Sequence, residues 1–251
     1  MATTRPPALT AVVPVHNEQE NVESLVREIH AVSTCCSIQK IVFVDDSSSD
    51  DTASRLADLA KEIPILRVLR HETQCGQSAA ILTGIRAADT PWVVTLDGDG
   101  QNNPEDIPRL VEALNDCNDD NVKLVNGNRN TGNTRKDSGI KRLSSKVANR
   151  VRSSLLRDNT PDSGCGLKLI HKETYLSLPW FVNIHRFTPA LVMRTGASIL
   201  SVEVGHRPRT GGQSHYGLFN RLWIGIVDLL GVAWLMKKGY RARVIEPREH
   251  R

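Results

Sequence analysis

Asp97-Gly98-Asp99-Gly100-Gln101 sets two carboxylates two residues apart with a glycine between them. Such groups repel each other unless a cation sits between or beside them. Oxygen ligands of this kind favour Mg²⁺ or Mn²⁺, usually shared with substrate phosphates. A calcium loop is excluded. Counted from Asp97, the position that needs glycine is Asn102 and the closing glutamate position is Pro108. The alternative without chemistry is a solvated acidic turn.

Two further polar clusters stand upstream. Pro14-Val15-His16-Asn17-Glu18 offers His16 and Glu18 to a base or ribose, while Asn17 suits the N-cap of a following helix. Both readings remain open. Val44-Asp45-Asp46-Ser47-Ser48-Ser49-Asp50-Asp51-Thr52 holds more carboxylates than a cap requires. Ser49 or Asp50 would cap the next helix, which leaves a strand-end carboxylate, Asp45 or Asp46, to accept from a uracil or guanine edge. No G-x-G-x-x-G follows the first apolar run and no G-x-x-x-x-G-K-[ST] occurs, which argues against a dinucleotide fold and a P-loop.

The elements that must hold these clusters are readable in the first half. Val- and Ile-rich runs at Thr10–Val15, Lys40–Val44, Ile65–Leu69, Trp92–Leu96 and Lys123–Val125 predict strands. Val22, Leu25, Val26 and Ile29 form a helical stripe between the first two. Ile107, Leu110, Val111 and Leu114 form another after the fourth, with Pro104 near its start. Strands alternating with helices predict an α/β fold with a mostly parallel sheet covered on both faces. Ligands of such sheets bind at the carboxyl ends of the strands, where every cluster named above falls.

Beyond residue 129 the character changes. Residues 129–157 carry nine Lys or Arg against one acidic residue, Asp137. Ile140, Leu143, Val147, Val151 and Leu155 make one helical stripe within it. That pattern fits an ordinary surface helix or one lying on an anionic membrane. Leu218–Met236 is strongly apolar, yet Arg221 and Asp228 argue against simple spanning. A division into a catalytic domain over residues 1–217 and an apolar interface helix with a basic tail over residues 218–251 follows.

The 251 residues carry a net charge of +4, too mild for a nucleic-acid binder. With 39% apolar residues the chain can bury a substantial core. Its five cysteines include no C-x-x-C pair, which suits a reducing, cytoplasmic setting. Leu9–Val15 is too short and too interrupted for an export signal, and no run of 18 uncharged apolar residues occurs.

In order and spacing the clusters resemble those of the family 2 glycosyltransferases of GT-A fold, most of all the dolichyl- or polyprenyl-phosphate sugar synthases. The resemblance runs from about Leu9 to Leu230. P-x-Y-N-E stands as Pro14–Glu18 with His16 for the usual tyrosine, and V-D-D-x-S-x-D-x-T stands as Val44–Thr52. Gly76-Gln77-Ser78-Ala79-Ala80 resembles the segment before the family's third helix. D-x-D-x-Q is Asp97, Asp99 and Gln101, and G-x-R is Gly127-Asn128-Arg129. Asp162-Ser163-Gly164-Cys165-Gly166-Leu167-Lys168 resembles D-x-x-S-G-F-[KR]. Arg209-Thr210-Gly211-Gly212-Gln213-Ser214-His215 resembles R-x-x-G-x-S-K, with His215 in place of lysine.

The resemblance implies Mg²⁺ or Mn²⁺ held by Asp97, Asp99 and Gln101. Donor contacts would come from Pro14, His16, Glu18, Val44, Asp46, Gln77, Asp97, Gly98, Asp99, Gln101, Arg129, Arg209 and His215. Asp99, Arg129 and Arg209 would act in catalysis. Asp162, Ser163, Arg142 and Ser145 would face the acceptor. It implies inverting transfer from a GDP- or UDP-sugar to a polyprenyl phosphate, by a peripheral enzyme on the cytoplasmic face of the inner membrane. A membrane-protein partner or homo-oligomerisation goes with that setting. The ester phosphate is already largely ionised at neutral pH, with a second pKa of about 6, so no strong general base is needed. A soluble or protein acceptor would not require the basic, apolar second half. A non-catalytic binding subunit would tolerate loss of Asp97 or Asp99, which are both intact. Sugar nucleotidyltransferases share the architecture but carry a glycine-rich basic loop after the first strand, which is absent.

Overall fold

The computed structural model describes residues 7–129, 152–153, 155–156, 158, 160–208 and 218–238, with the backbone alone for 218–224. All five expected strands form, as β1 (Leu9–Val15), β2 (Ile38–Asp45), β3 (Leu66–Arg70), β4 (Trp92–Thr95) and β5 (Val122–Asn128). Two more join them, β6 (Lys168–His171) and β7 (Ser198–Glu203), in the spatial order β3-β2-β1-β4-β6-β5-β7. Pairing is parallel except at β6, which runs antiparallel to both β4 and β5.

The reversed strand matters for the site. Because β6 runs backwards, its first residue, Lys168, pairs with Thr95 near the end of β4 and with Asn126 near the end of β5. The loop that precedes β6 therefore lies at the carboxyl edge of the parallel strands. No run-length pattern foretells that reversal, since a buried strand of either direction is a short apolar run.

Side chains alternate between two cores, as the period of two requires. Leu9, Ala11, Val13 and Val15 of β1, with Ile41 and Phe43 of β2, pack against α1 (Val22–Ser33), α2 (Thr52–Glu62) and α4 (Ile107–Asp116). Val12, Val42, Val44, Val93, Leu124 and Ile170 face the other way. They pack with residues of α3 (Gln77–Arg86), α5 (Lys172–Leu176), α6 (Thr188–Arg194) and α7 (Leu218–Lys237). The stripe Val22, Leu25, Val26, Ile29 is wholly buried. Truncating Leu25 or Ile29 to Ala would cost about 2–5 kcal/mol.

Two cap expectations divide. Asn17 does not cap α1, which begins five residues later at Val22. It takes a left-handed φ of 55° instead, and its Oδ1 accepts from Ser49 N at 2.8 Å, tying the first loop to the second. At α2 the N-cap position falls on Asp51, one residue past Asp50, yet Asp50 Oδ1 still accepts from Thr52 N at 3.0 Å at the helix start. The basic stripe of residues 140–157 lies outside the described residues except for its last turn, where residues 152–153 and 155–156 are helical.

Candidate functional site

At the carboxyl edge the loops after β1, β2 and β4, the end of β5 and the loop before β6 enclose a cavity of about 960 Å³. Pro14, His16, Glu18, Asp46, Gln77, Asp97, Gly98, Asp99, Arg129, Asp162 and Ser163 all line it. Two of the residues assigned to the donor do not. Val44 is fully buried beneath α3, because its position on β2 faces that core. Gln101 stands outside the lining and bears on Asp99 through its backbone N–H, at 3.2 Å from Oδ1. Arg142, Ser145, Arg209 and His215 lie outside the described residues.

The carboxylate turn is shaped by what it lacks. A Cβ on Gly98 would lie 2.6 Å from Val15 Cγ1 and 2.7 Å from Pro14 O, so only glycine lets the turn rest on β1. Asn102 Oδ1 accepts from Asp97 N at 2.8 Å and closes the turn. Across the cavity, a Cβ on Gly166 would lie 2.2 Å from Asp97 Oδ2. Gln77 Nε2 donates to Asp97 Oδ1 at 2.8 Å. Burial, and then the neighbouring Asp99 charge, push the Asp97 carboxyl above its ordinary range, against the pull of Lys168 and Arg129. A divalent cation between Asp97 and Asp99 would relieve both costs, which makes this donor set fit for Mg²⁺ or Mn²⁺.

Asp46 anchors the base-side wall. Its Oδ1 accepts from Cys75 N at 2.8 Å and from His71 Nδ1 at 2.7 Å, and its Oδ2 accepts from Gly76 N at 2.7 Å. Oδ2 keeps a lone pair for a ligand N–H, so a base contact needs no rearrangement. His16 is fixed by its Nδ1, 2.8 Å from Asp46 O. Glu18 accepts from Asn21 Nδ2 at 2.6 Å.

Arg129 does not stand free. It grips Asp162 in a fork, Nε to Oδ2 at 2.7 Å and Nη2 to Oδ1 at 3.0 Å. Burial opposes both charges, but the pair outweighs it. Asp162 is held below the usual carboxylate range and Arg129 above the usual guanidinium range. This pair joins the G-x-R and D-x-x-S-G segments, 33 residues apart in sequence.

Several residues at the site escaped single-residue prediction. Lys168 is buried, donates to the carbonyl of Cys165, and has its pKa lowered by burial against the attraction of Cys165, Asp97 and Asp162. Its signal was a lysine between Leu167 and Leu169 in an otherwise apolar strand. Arg152 pairs with Asp158 and donates to Thr160 O at 2.7 Å. His185 Nδ1 lies 2.7 Å from Ser78 Oγ. Burial, with Arg186 and Lys168, pushes its imidazole down to about 3, so it meets the cavity uncharged. Much of the remaining lining is apolar, namely Ala80, Ile81, Ile170, Phe187, Ile226 and Leu229, with Gln74, Thr95, Tyr175, Arg186 and Thr188 interspersed. These apolar residues come from α3, β6 and α7, with Phe187 just ahead of α6, and no local spacing links them.

Comparison with known proteins bears on the family and the fold. The family described as Glycosyl transferase family 2 matches residues 10–177. A dodecaprenyl-phosphate galacturonate synthase of Rhizobium johnstonii is 32% identical over 240 residues, 94% of this chain and 68% of that protein. An undecaprenyl-phosphate 4-deoxy-4-formamido-L-arabinose transferase of an Enterobacter species is 33% identical over 225 residues, 88% of this chain and 66% of that one. This chain thus spans about two thirds of the length of either relative. Among solved structures, glucosyl-3-phosphoglycerate synthase from Mycobacterium tuberculosis, in complex with Mn²⁺, UDP and glucosyl-3-phosphoglycerate, superposes with a TM-score of 0.68. It is 18% identical and covers 94% of this chain and 82% of that one. Mannosyl-3-phosphoglycerate synthase from Rubrobacter xylanophilus also gives 0.68, at 17% identity, over 96% of this chain and 78% of that one. At these identities the likeness speaks for the fold, a GT-A-like sheet with flanking helices.

Proposed function

This chain belongs to glycosyl transferase family 2, and from that premise we propose that it transfers a sugar from a nucleoside-diphosphate donor to a polyprenyl phosphate. The single observation that carries this is the two-natured cavity. Paired carboxylates for a metal–diphosphate stand at one part of the wall, and an apolar wall from α3, β6 and α7 continues the same space. A donor with a soluble acceptor would have no use for that second wall. The two curated relatives, named for dodecaprenyl and undecaprenyl phosphate, support the same acceptor class.

In this reading the donor's base lies against His16, Glu18 and Asp46, and its diphosphate points at Asp97 and Asp99. When bound there, Mg²⁺ or Mn²⁺ neutralises charge on the leaving diphosphate. Gln77 and the bare Cα of Gly166 hold the Asp97 carboxylate in place for that role. Arg129, locked by Asp162, presents a fixed positive charge to the phosphates rather than a mobile fork. Arg209 and His215, with Arg142 and Ser145, remain proposed partners of donor and acceptor on the resemblance alone. The ester phosphate is already ionised, so it attacks the anomeric carbon without a side-chain base.

Membrane attachment follows from α7. Val232 and Ala233 are buried against the protein, while Val227, Leu230 and Trp234 are 55%, 60% and 60% exposed along one stripe. Trp180 and Val182 add exposed apolar surface. Asn183, next to Val182, donates to Asp228 of α7 at 3.0 Å. Among the described residues no helix is long and apolar enough to cross a membrane. We therefore place the enzyme on an anionic cytoplasmic surface, with α7 and the basic residues between 135 and 150 of the sequence as its contacts. The domain division at residue 218 serves that attachment. The test is transfer of radiolabelled sugar from GDP- and UDP-sugars, with Mn²⁺, to undecaprenyl phosphate in mixed micelles. Product that partitions into organic solvent is expected; label transferred only to water-soluble phosphates or protein would overturn the acceptor assignment.

A further inference from the structure

Three ligands of different chemistry converge behind the base-side wall. A carboxylate oxygen of Asp46, a ring nitrogen of His71 and Sγ of Cys75 all lie within 4.8 Å of one another. Asp46 is buried, His71 half-buried and Cys75 exposed, so the group is open to solvent from one side. Thiolate and imidazole are the donors that zinc prefers, and neither is among the Asp97 and Asp99 oxygens. We propose that Asp46, His71 and Cys75 form a second metal site, selective for Zn²⁺ over Mg²⁺ or Mn²⁺, whose occupancy weakens donor binding.

The surroundings suit this assignment. His71 Nε2 lies 2.9 Å from Thr83 Oγ1, a hydroxyl able to donate or to accept. The neutral ring can therefore carry its one proton on Nε2, donating to Thr83, and bind metal through the freed Nδ1, the outer-shell arrangement usual for a zinc-ligating histidine. Asp46 is already positioned by the N–H groups of Cys75 and Gly76. Zn–N and Zn–O bonds of about 2.0 Å and a Zn–S bond of about 2.3 Å require ligand atoms about 3.3–3.7 Å apart. The His71 Nδ1–Asp46 Oδ1 pair, now 2.7 Å apart, must open by about 0.6 Å to admit the ion, while Cys75, which lies in neither helix nor strand between β3 and α3, is free to close on it. Water would complete the fourth position.

The consequence for the donor rests on the proposed function. Asp46, Gln74, Gly76 and Gln77 line the same cavity, and Gln77 holds Asp97. An ion drawing Cys75 toward Asp46 would occupy the carboxylate that meets the base and would shift the start of α3. Zinc would thus act from outside the Asp97–Asp99 pair.

The test titrates the full-length reduced protein with Co²⁺ in the presence of saturating Mg²⁺, beside Cys75→Ser. The expected result is a near-ultraviolet thiolate-to-cobalt band that Zn²⁺ abolishes. Cys75→Ser should lack the band and, having lost a direct ligand, bind Zn²⁺ at least about 100-fold more weakly, beyond the loss usual for an outer-shell partner. Zn²⁺ should raise the Kd for UDP or GDP in the parent and leave it unchanged in Cys75→Ser. No band, or one that survives the substitution, would overturn the site. A Cys75-dependent band with unaltered nucleotide affinity would overturn the coupling. Failure of either nucleotide to bind in Mg²⁺ alone, with the band intact, would count against the proposed function and not against the zinc site.

Discussion

Gly166→Ala is a one-carbon test of the metal-site geometry. A Cβ there would lie 2.2, 2.3 and 2.5 Å from Oδ2, Cγ and Oδ1 of Asp97. Ordinary contact begins near about 3.5 Å, so the whole carboxylate must retreat by about 1 Å. That shift displaces it from the position in which it accepts the 2.8 Å bond from Gln77 Nε2. Overpacking of this kind costs about 1–3 kcal/mol, which lowers Tm by about 2–12 °C in a chain of this size. The larger expected effect is on Mn²⁺ affinity in the presence of UDP or GDP, a fall of about 10–100-fold, as when a group that orients a metal ligand is lost. Calorimetric titration of Mn²⁺, with thermal unfolding measured in metal-free buffer, separates the two effects. Gly164→Ala is the control, since its Cβ would meet nothing closer than 3.6 Å, at Arg129 Nη2. It should bind Mn²⁺ within about threefold of the parent. If Gly166→Ala binds Mn²⁺ as the parent does, or if Gly164→Ala loses as much, Asp97 is not a ligand held in the way described.

Asp162→Asn leaves the buried Arg129 charge uncompensated and should cost about 3–5 kcal/mol in chemical denaturation. Because Asp162 is held below its unfolded value, its contribution is present above about pH 4 and is lost as pH falls through the lower folded value. The parent's stability should therefore fall off at acid pH more steeply than the variant's; parallel pH–stability curves would refute the pairing. Asp99→Asn should lower kcat/KM on the order of 100-fold or more, with excess Mn²⁺ restoring little, and near-parental turnover would remove Asp99 from catalysis. The pH–rate profile above pH 7 should show no essential base traceable to one carboxylate; a limb near pH 7 that a single Asp or Glu substitution abolishes would refute base-free attack. Replacing Leu230 and Trp234 together with Lys and Glu should change stability by less than about 1 kcal/mol, yet reduce sedimentation with anionic liposomes several-fold. Undiminished sedimentation would remove α7 from the membrane face.

Periodicity along the chain was enough to place β1 to β5, α1 and α4, because each buries a continuous face and such a face must repeat every two or 3.6 residues. The order of clusters along the chain was enough to name the family and to set Asp97 and Asp99 beside Asp46 at one sheet edge. What each polar residue does there depended on partners distant in sequence. Asn17 looked like a cap and bridges two loops. Arg129 looked like a free phosphate donor and is locked by Asp162. Val44 and Gln101 belong to site motifs but do not line the cavity. The reversal of β6 brings Gly166 against Asp97 and Lys168 beneath it, and the docking of α7 adds Ile226 and Leu229 to the same wall. A chain encodes faces locally, because hydrophobic burial acts on neighbouring turns of one element. Which carboxylate meets which cation is settled only when separate elements close on a shared, poorly solvated space, where direct contact sets the charge.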